Sequence, residues 1–308
     1  AADLLLGKEG AAIEYVEYCS AMQEKAEATS APQEEKRQEK GKERRYTLMV
    51  EEVFENARYE GIMAMGNLHG KLKEGDGMYL YRPNMPVIRV QVEMIESGPQ
   101  VVVEMAKNQR VAVGINLEDA KEVPRYSVLS SVPPQEQVSE TVPVENPYLF
   151  GMMMEYKRLY ENPGYMNCLL HGLCTANLLE PLYMDQPPLP NPDGTLSFGE
   201  GANVGIRSIR KWDDENASLF PAFTDLGALH LWKEAFHPDQ PKRTLAFNMP
   251  AVLDHVERGH AGLIVNPFGP VPVFFKAELL QTVKNSEGYQ KLFPETKKAT
   301  VAEETEQQ

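Results

Sequence analysis

Three side chains suited to binding soft metals lie close together in the stretch CLLHGLC, where Cys168, His171 and Cys174 recur at every third residue. On a helix the outer two point roughly 120° apart, so they cannot converge on one zinc ion without unwinding. No second CxxC or HxxxH motif completes a set of four ligands. A cysteine nucleophile would need a base and an activating environment, and the sequence names neither. The residues read as small buried cysteines on a core helix, with a partly exposed histidine between them. In KWDDEN, residues 211–216, two aspartates and a glutamate follow one another. Calcium loops need alternating oxygen ligands and a glycine hinge, so this is an exposed hairpin loop. His255 and His260 flank a predicted helix end, where a positive charge interacts favourably with the helix dipole. A phosphate cradle would need G-x-x-x-x-G-K-[ST]. The nearest stretch, Gly66 to Leu72, is one residue short and ends in leucine. No catalytic residue, metal ligand, nucleotide or other cofactor is assigned.

One further stretch raises a question of binding rather than chemistry. GLIVNPFGPVPVFF, residues 262–275, is two runs rich in β-branched and aromatic residues around Asn266-Pro267-Phe268-Gly269, which predicts two strands and a turn. Asn before Pro favours an extended backbone, Pro presets the turn, and Gly accepts positive φ. Turn chemistry accounts for three of the four residues and leaves Phe268. Phe220 and Phe223 close a second predicted strand before Thr224-Asp225, which can cap a helix. If the two strand ends adjoin, Phe220, Phe223 and Phe268 form an apolar patch edged by Asn266 and Thr224. These five residues are the candidate contact face, with Phe268 partly exposed near Phe223.

The elements that must hold these residues follow from composition. Residues 23–45 hold seven basic and six acidic residues and almost nothing to bury, so they cannot offset their ordering entropy. We divide the chain into an N-terminal helical segment at 1–26 and a charged linker at 27–45. An all-β unit spans 46–132, and a proline-rich linker spans 133–146. An α+β unit at 147–293 and an acidic tail at 294–308 complete it. The all-β unit has short strands separated by Gly, Asn and Asp turns, as in a small barrel. It carries nine basic and twelve acidic side chains, which argues against direct nucleic-acid binding, since that needs clustered Lys and Arg. Three cysteines in 308 residues do not make a disulfide scaffold. No run of about 18 apolar residues is present to span a membrane, and AADLLLG lacks the basic start of a signal peptide. The expectation is a cytoplasmic protein.

Two resemblances attach to these units. Gly61, Gly66, Gly70, KLKEGD (71–76), VEMIE (92–96), VAVGINLED (111–119) and VPRYSVL (123–129) resemble, in order, the second β-barrel domain of translation GTPases. GNLHG departs from that pattern by one residue fewer between its glycines. LFPAFTDLGALHLW (219–232), HAGLIVNPFGP (260–270) and KAELLQ (276–281), following a strand after the second helix, resemble the SseB family. That resemblance implies a fold and little mechanism. The expected function is a non-enzymatic adaptor with a protein partner. The alternatives are a translation-associated factor whose barrel contacts ribosome or tRNA, and a hydrolase using Cys168 or Cys174.

Overall fold

The computed structural model describes residues 46–56, 59–135, 144–184, 186, 189–190, 196–197, 204–236, 243–269 and 271–294. The predicted N-terminal helix, the charged linker, most of the proline-rich linker and the acidic tail lie outside these residues. The chain divides into two compact units. Residues 46–135 and 145–173 form the first, and residues 144 and 174–294 the second.

The first unit contains β1 (Thr47–Met49), β2 (Glu52–Asn56), β3 (Tyr59–His69), β4 (Lys71–Lys73), β5 (Gly77–Arg82), β6 (Met85–Glu96), β7 (Met105–Lys107), β8 (Arg110–Ile115) and β9 (Val128–Ser130). Six of these close a barrel in the order β1-β9-β5-β6-β8-β3, sealed by antiparallel pairing of β1 with β3, while β2 hangs on β3. Closure brings the Met49 carbonyl to 2.0 Å from where a Cβ on Gly66 would sit, so only glycine fits there. Gly70, by contrast, is needed for its φ of 101° at the β3–β4 turn. Alternate residues of the strands, among them Leu48, Ile62, Leu80, Ile95, Val113 and Leu129, fill the interior. Burying each such side chain contributes about 1.5–3 kcal/mol.

Three helices follow the barrel in this unit, α1 (Pro147–Met154), α2 (Tyr156–Leu159) and α3 (Pro163–Thr175), of which the last two residues of α3 fall in the second unit. On composition, residues 147–173 belong with the α+β unit. Gly151 of α1 instead lies against β9 and β1, with its missing Cβ 2.5 Å from Val128 Cγ1 and 2.8 Å from Thr47 Oγ1. Glu155, at φ −100° and ψ 2°, interrupts the helix between α1 and α2. Its carboxylate accepts from Asn67 Nδ2 (3.0 Å) and Arg158 Nε (3.0 Å) and sits 2.7 Å from His69 Nε2. Burial raises the Glu155 carboxyl, but the bonds from His69, Arg158 and Asn67 outweigh it and bring it down to about 2. Arg158 also donates to Glu51, which accepts from Arg110.

The second unit is α+β. Its elements are β10 (Leu178–Met184), β11 (Leu189–Pro190), β12 (Leu196–Ser197), β13 (Val204–Ile206), β14 (Ile209–Lys211), β15 (Asp214–Ala222), α4 (Leu226–His230), β16 (Arg243–Phe247), α5 (Met249–Glu257), β17 (Gly262–Val265), β18 (Val273–Lys276), α6 (Ala277–Lys284) and α7 (Glu287–Leu292). β13, β10 and β16 form one sheet and β14, β15, β17 and β18 another. A bridge between Leu179 and Phe223 joins them, with backbone bonds of 2.8 and 3.0 Å. β15 and β17 run parallel, Phe220 opposite Leu263. The chain between them passes through α4, β16 and α5, a crossover that parallel pairing requires. No helix among the described residues is long and apolar enough to cross a membrane.

Candidate functional site

Asn266 ends β17 and locks it to the end of β15. Its amide donates to the Ala222 carbonyl at 2.8 Å. Its side-chain Oδ1 accepts from the Thr224 amide at 2.9 Å, and its Nδ2 donates to Thr224 Oγ1 at 2.8 Å. Thr224 Oγ1 donates to Asp225 Oδ2 at 2.9 Å, and Asp225 Oδ1 accepts from Ala228 N at 3.0 Å, capping α4. Buried polar groups are costly unless satisfied, and this chain of bonds satisfies strand end, turn and helix start together.

The turn differs from the sequence reading in one respect. The left-handed backbone falls on Asn266, at φ 52°, not on Gly269. Asparagine tolerates that conformation better than most residues, and adopting it aims the side chain at Thr224. Gly269 sits in a tight space: its amide donates to the Asn266 carbonyl at 2.9 Å, and a Cβ there would lie 3.0 Å from Asn266 Cβ.

The five candidate residues do not lie on one surface. Phe220, Phe223, Thr224 and Asn266 are all 1% exposed or less. Successive residues of a strand point to opposite faces, so Phe220 and Phe223, three apart, are on different sides of the sheet. Phe220 stacks on His255, ring centroids 5.2 Å apart, and lies 6.2 Å from Phe247. Phe223 stacks on Trp232 at 6.0 Å, and Trp232 stacks on Phe268 at 5.5 Å. Phe268 is near Phe223 through that tryptophan, packs on the same core cluster, and alone of the five is partly exposed.

Of the two cysteines expected to be buried, Cys174 is buried and Cys168 only half-buried. Burial raises the Cys168 thiol and pushes Cys174 up to about 11, while it lowers His171. Among the described residues no group of three or more His, Cys, Asp or Glu could hold a metal ion. Asn67 and His69 of the stretch that resembles a phosphate loop are engaged by Glu155. Lys211 and Asp214 pair across a two-residue hairpin in KWDDEN, and Lys211 bonds Asp213 at 2.6 Å.

Burial, the largest cause for each, lowers both His255 and His260 from the ordinary histidine range, which weakens the cation–dipole reading at this helix end. His260 Nδ1 instead lies 2.8 Å from Ser218 Oγ. The sequence reading missed this pair, and 42 residues separate its members. Ser218 sits within β15, opposite Arg210, with its carbonyl accepting from Ala261 N at 2.8 Å. Glu180 was also missed. It is completely buried in β10 with neither carboxylate oxygen hydrogen-bonded, and burial pushes it well above the usual carboxylate range.

Residues 156–282 match the family model for the SseB protein N-terminal domain, a span that begins in α2. No curated protein matches the chain. Among solved structures, translation elongation factor SelB from Methanococcus maripaludis, in its apo form, is similar over 33% of this chain and 21% of its own, with 24% identity and a TM-score of 0.26. The chain thus spans about a fifth of that protein's length.

Proposed function

Because the chain carries an SseB protein N-terminal domain at residues 156–282, we propose that it is a non-enzymatic, cytoplasmic adaptor whose protein-contact face is built around Phe268. One observation carries this reading. The turn backbone is fixed by buried hydrogen bonds, yet the Phe268 ring keeps part of its surface in solvent. An aromatic ring on a rigid backbone loses little conformational freedom on binding, and such residues dominate interface energetics. Trp232 stacks against the ring, and its chain neighbour Leu231 is 44% exposed. Burial raises both the half-buried Cys168 thiol and the buried Cys174 thiol, which argues against a cysteine hydrolase, and the free thiols suit a reducing compartment.

The test is affinity purification from the native host with wild-type bait and with Phe268→Ala. A protein retained by the wild type and depleted at least tenfold by the variant is expected. Because the ring is only partly buried, the variant should lose about 1–2 kcal/mol of stability, below the 3–5 kcal/mol of a fully buried phenylalanine. Equal retention by both baits, or a variant that does not fold, overturns the reading.

A further inference from the structure

The barrel carries a second feature that the Phe268 site does not use. β4 and β7 form a two-stranded ribbon, Leu72 opposite Ala106. Its end is tied to β6 and the neighbouring loop by backbone bonds: Gly75 N to Val92 O at 2.8 Å, Val92 N to Asp76 O at 3.0 Å, and Glu74 N to Glu104 O at 3.0 Å. Between ribbon and β6 lies an open groove of about 700 Å³, lined by Lys73, Glu74, Gln91, Glu93, Glu104 and Met105 among others. Its walls are therefore strand backbone, already hydrogen-bonded.

Two properties of this groove and of the loop that precedes β7 require explanation together. That loop exposes Val101 and Val102 at 52% each, and Met105, which opens β7 and lines the groove, is 44% exposed. Three large apolar side chains this exposed within five residues are unusual for a surface that contacts only water. Beside them stand three carboxylates, Glu74, Glu93 and Glu104, against one cation, Lys73. Among the described residues Glu74 and Glu104 have no ion-pair or hydrogen-bonded side-chain partner, while Glu93 accepts from the Tyr59 hydroxyl at 2.7 Å. The carboxylates repel phosphate, so nucleic acid is a poor occupant. The apolar lip adds nothing for a bare metal ion. A protein segment supplies both complements, with side chains alternating along an extended chain.

We propose that this groove is a second contact surface, which takes an extended protein segment alternating Lys or Arg with apolar side chains. The basic groups meet Glu74, Glu93 and Glu104, and the apolar ones lie on Val101, Val102 and Met105. The proposal is independent of the Phe268 face, since it uses no residue of the SseB domain.

The experiment measures fluorescence anisotropy of the full chain with a labelled peptide, Leu-Lys-Val-Arg-Leu-Lys-Val. Two control peptides carry Glu in place of Lys and Arg, or Ser in place of Leu and Val. The basic apolar peptide should bind at least tenfold tighter than either control. The pair Glu74→Gln and Glu104→Gln, and separately the pair Val101→Ser and Val102→Ser, should each weaken it by about tenfold with unchanged melting. All four positions are exposed, so folding is preserved. Binding that depends on the carboxylates but not on the apolar lip would mean attraction of any cation, and would overturn the proposal. So would unchanged binding by both double variants. A concentration-dependent dimer abolished by Val101→Ser and Val102→Ser would assign the face to a second copy instead.

Discussion

Asn266→Ala should be among the most damaging single substitutions in the SseB-domain unit, and its cost can be worked from three parts. The variant leaves the Thr224 amide without an acceptor at a residue that is 0% exposed; an orphaned buried donor costs about 1–3 kcal/mol. The bond from Nδ2 to Thr224 Oγ1 is also lost, worth about 0.5–1.5 kcal/mol because the hydroxyl keeps its bond to Asp225. Alanine must then hold the φ of 52° that asparagine now holds, at a cost of about 1–2 kcal/mol. The sum is about 2.5–6.5 kcal/mol, a fall in melting temperature of roughly 5–26 °C for a unit of this size. Asn266→Gly loses the same bonds without the backbone strain and should be less damaging by about 1 kcal/mol. Trp212 and Trp232, the only two tryptophans of the chain, both lie in this unit, so tryptophan fluorescence against urea reports its unfolding. An Asn266→Ala variant within about 1 kcal/mol of wild type, or one more stable than Asn266→Gly, would refute the account.

The remaining expectations concern titratable groups. Glu155→Ala should cost about 1–2 kcal/mol, because Asn67 loses its carboxylate acceptor while Arg158, 41% exposed, keeps its bonds to Glu51, and circular dichroism against urea reads the loss. In the wild type, the Glu155 contribution is present above the ordinary carboxylate range and is lost as pH falls towards its folded value of about 2. Glu180 has the opposite sign: with its folded value raised, stability is fullest below the ordinary carboxylate range and falls as pH rises. Glu180→Met should therefore stabilise the unit, by about 1–3 kcal/mol, more at pH 8 than at pH 4 in thermal melts; a destabilised variant would mean the carboxyl has a partner in the working protein. Cys174, with its thiol up to about 11, should resist iodoacetamide at pH 8 until the protein is unfolded, as mass spectrometry of the modified peptide would show.

The parts of the fold legible in the sequence are those where one residue type answers one local demand. Alternating apolar strands and glycine turns marked the barrel, and Gly66 does sit where closure leaves no room for a side chain. The order of strand and helix from β15 to α6 was readable because each turn carries its own punctuation: Asp225 and Asn248 cap helices with side-chain oxygens. What was not legible depends on pairings far apart in the chain. The proline-rich linker marks a break in composition, but composition does not say that α1 to α3 pack with the residues before it. Period-two alternation was available to separate Phe220 from Phe223, yet adjacency at the strand end suggested one patch. The pairing of Ser218 with His260 and the orphan carboxyl of Glu180 leave no local trace at all.

The four residues of the turn divide their work in a way that bears on what the loop is for. Asn266 supplies the left-handed bend and the bonds to Thr224, and Gly269 supplies the space for the chain to close at 2.9 Å on the Asn266 carbonyl. Pro267, which presets the bend, is buried. None of these roles constrains the residue between Pro267 and Gly269 to be aromatic. If the fold alone set its identity, the ring would be enclosed as Phe223 is, at 0% exposed; instead it stacks on Trp232 and packs on the core cluster while remaining partly exposed. Stability therefore depends chiefly on Asn266, and the exposed part of Phe268 is left to whatever the surface contacts. Substitutions at the two positions act through different physics, so their effects on melting and on partner retention should separate.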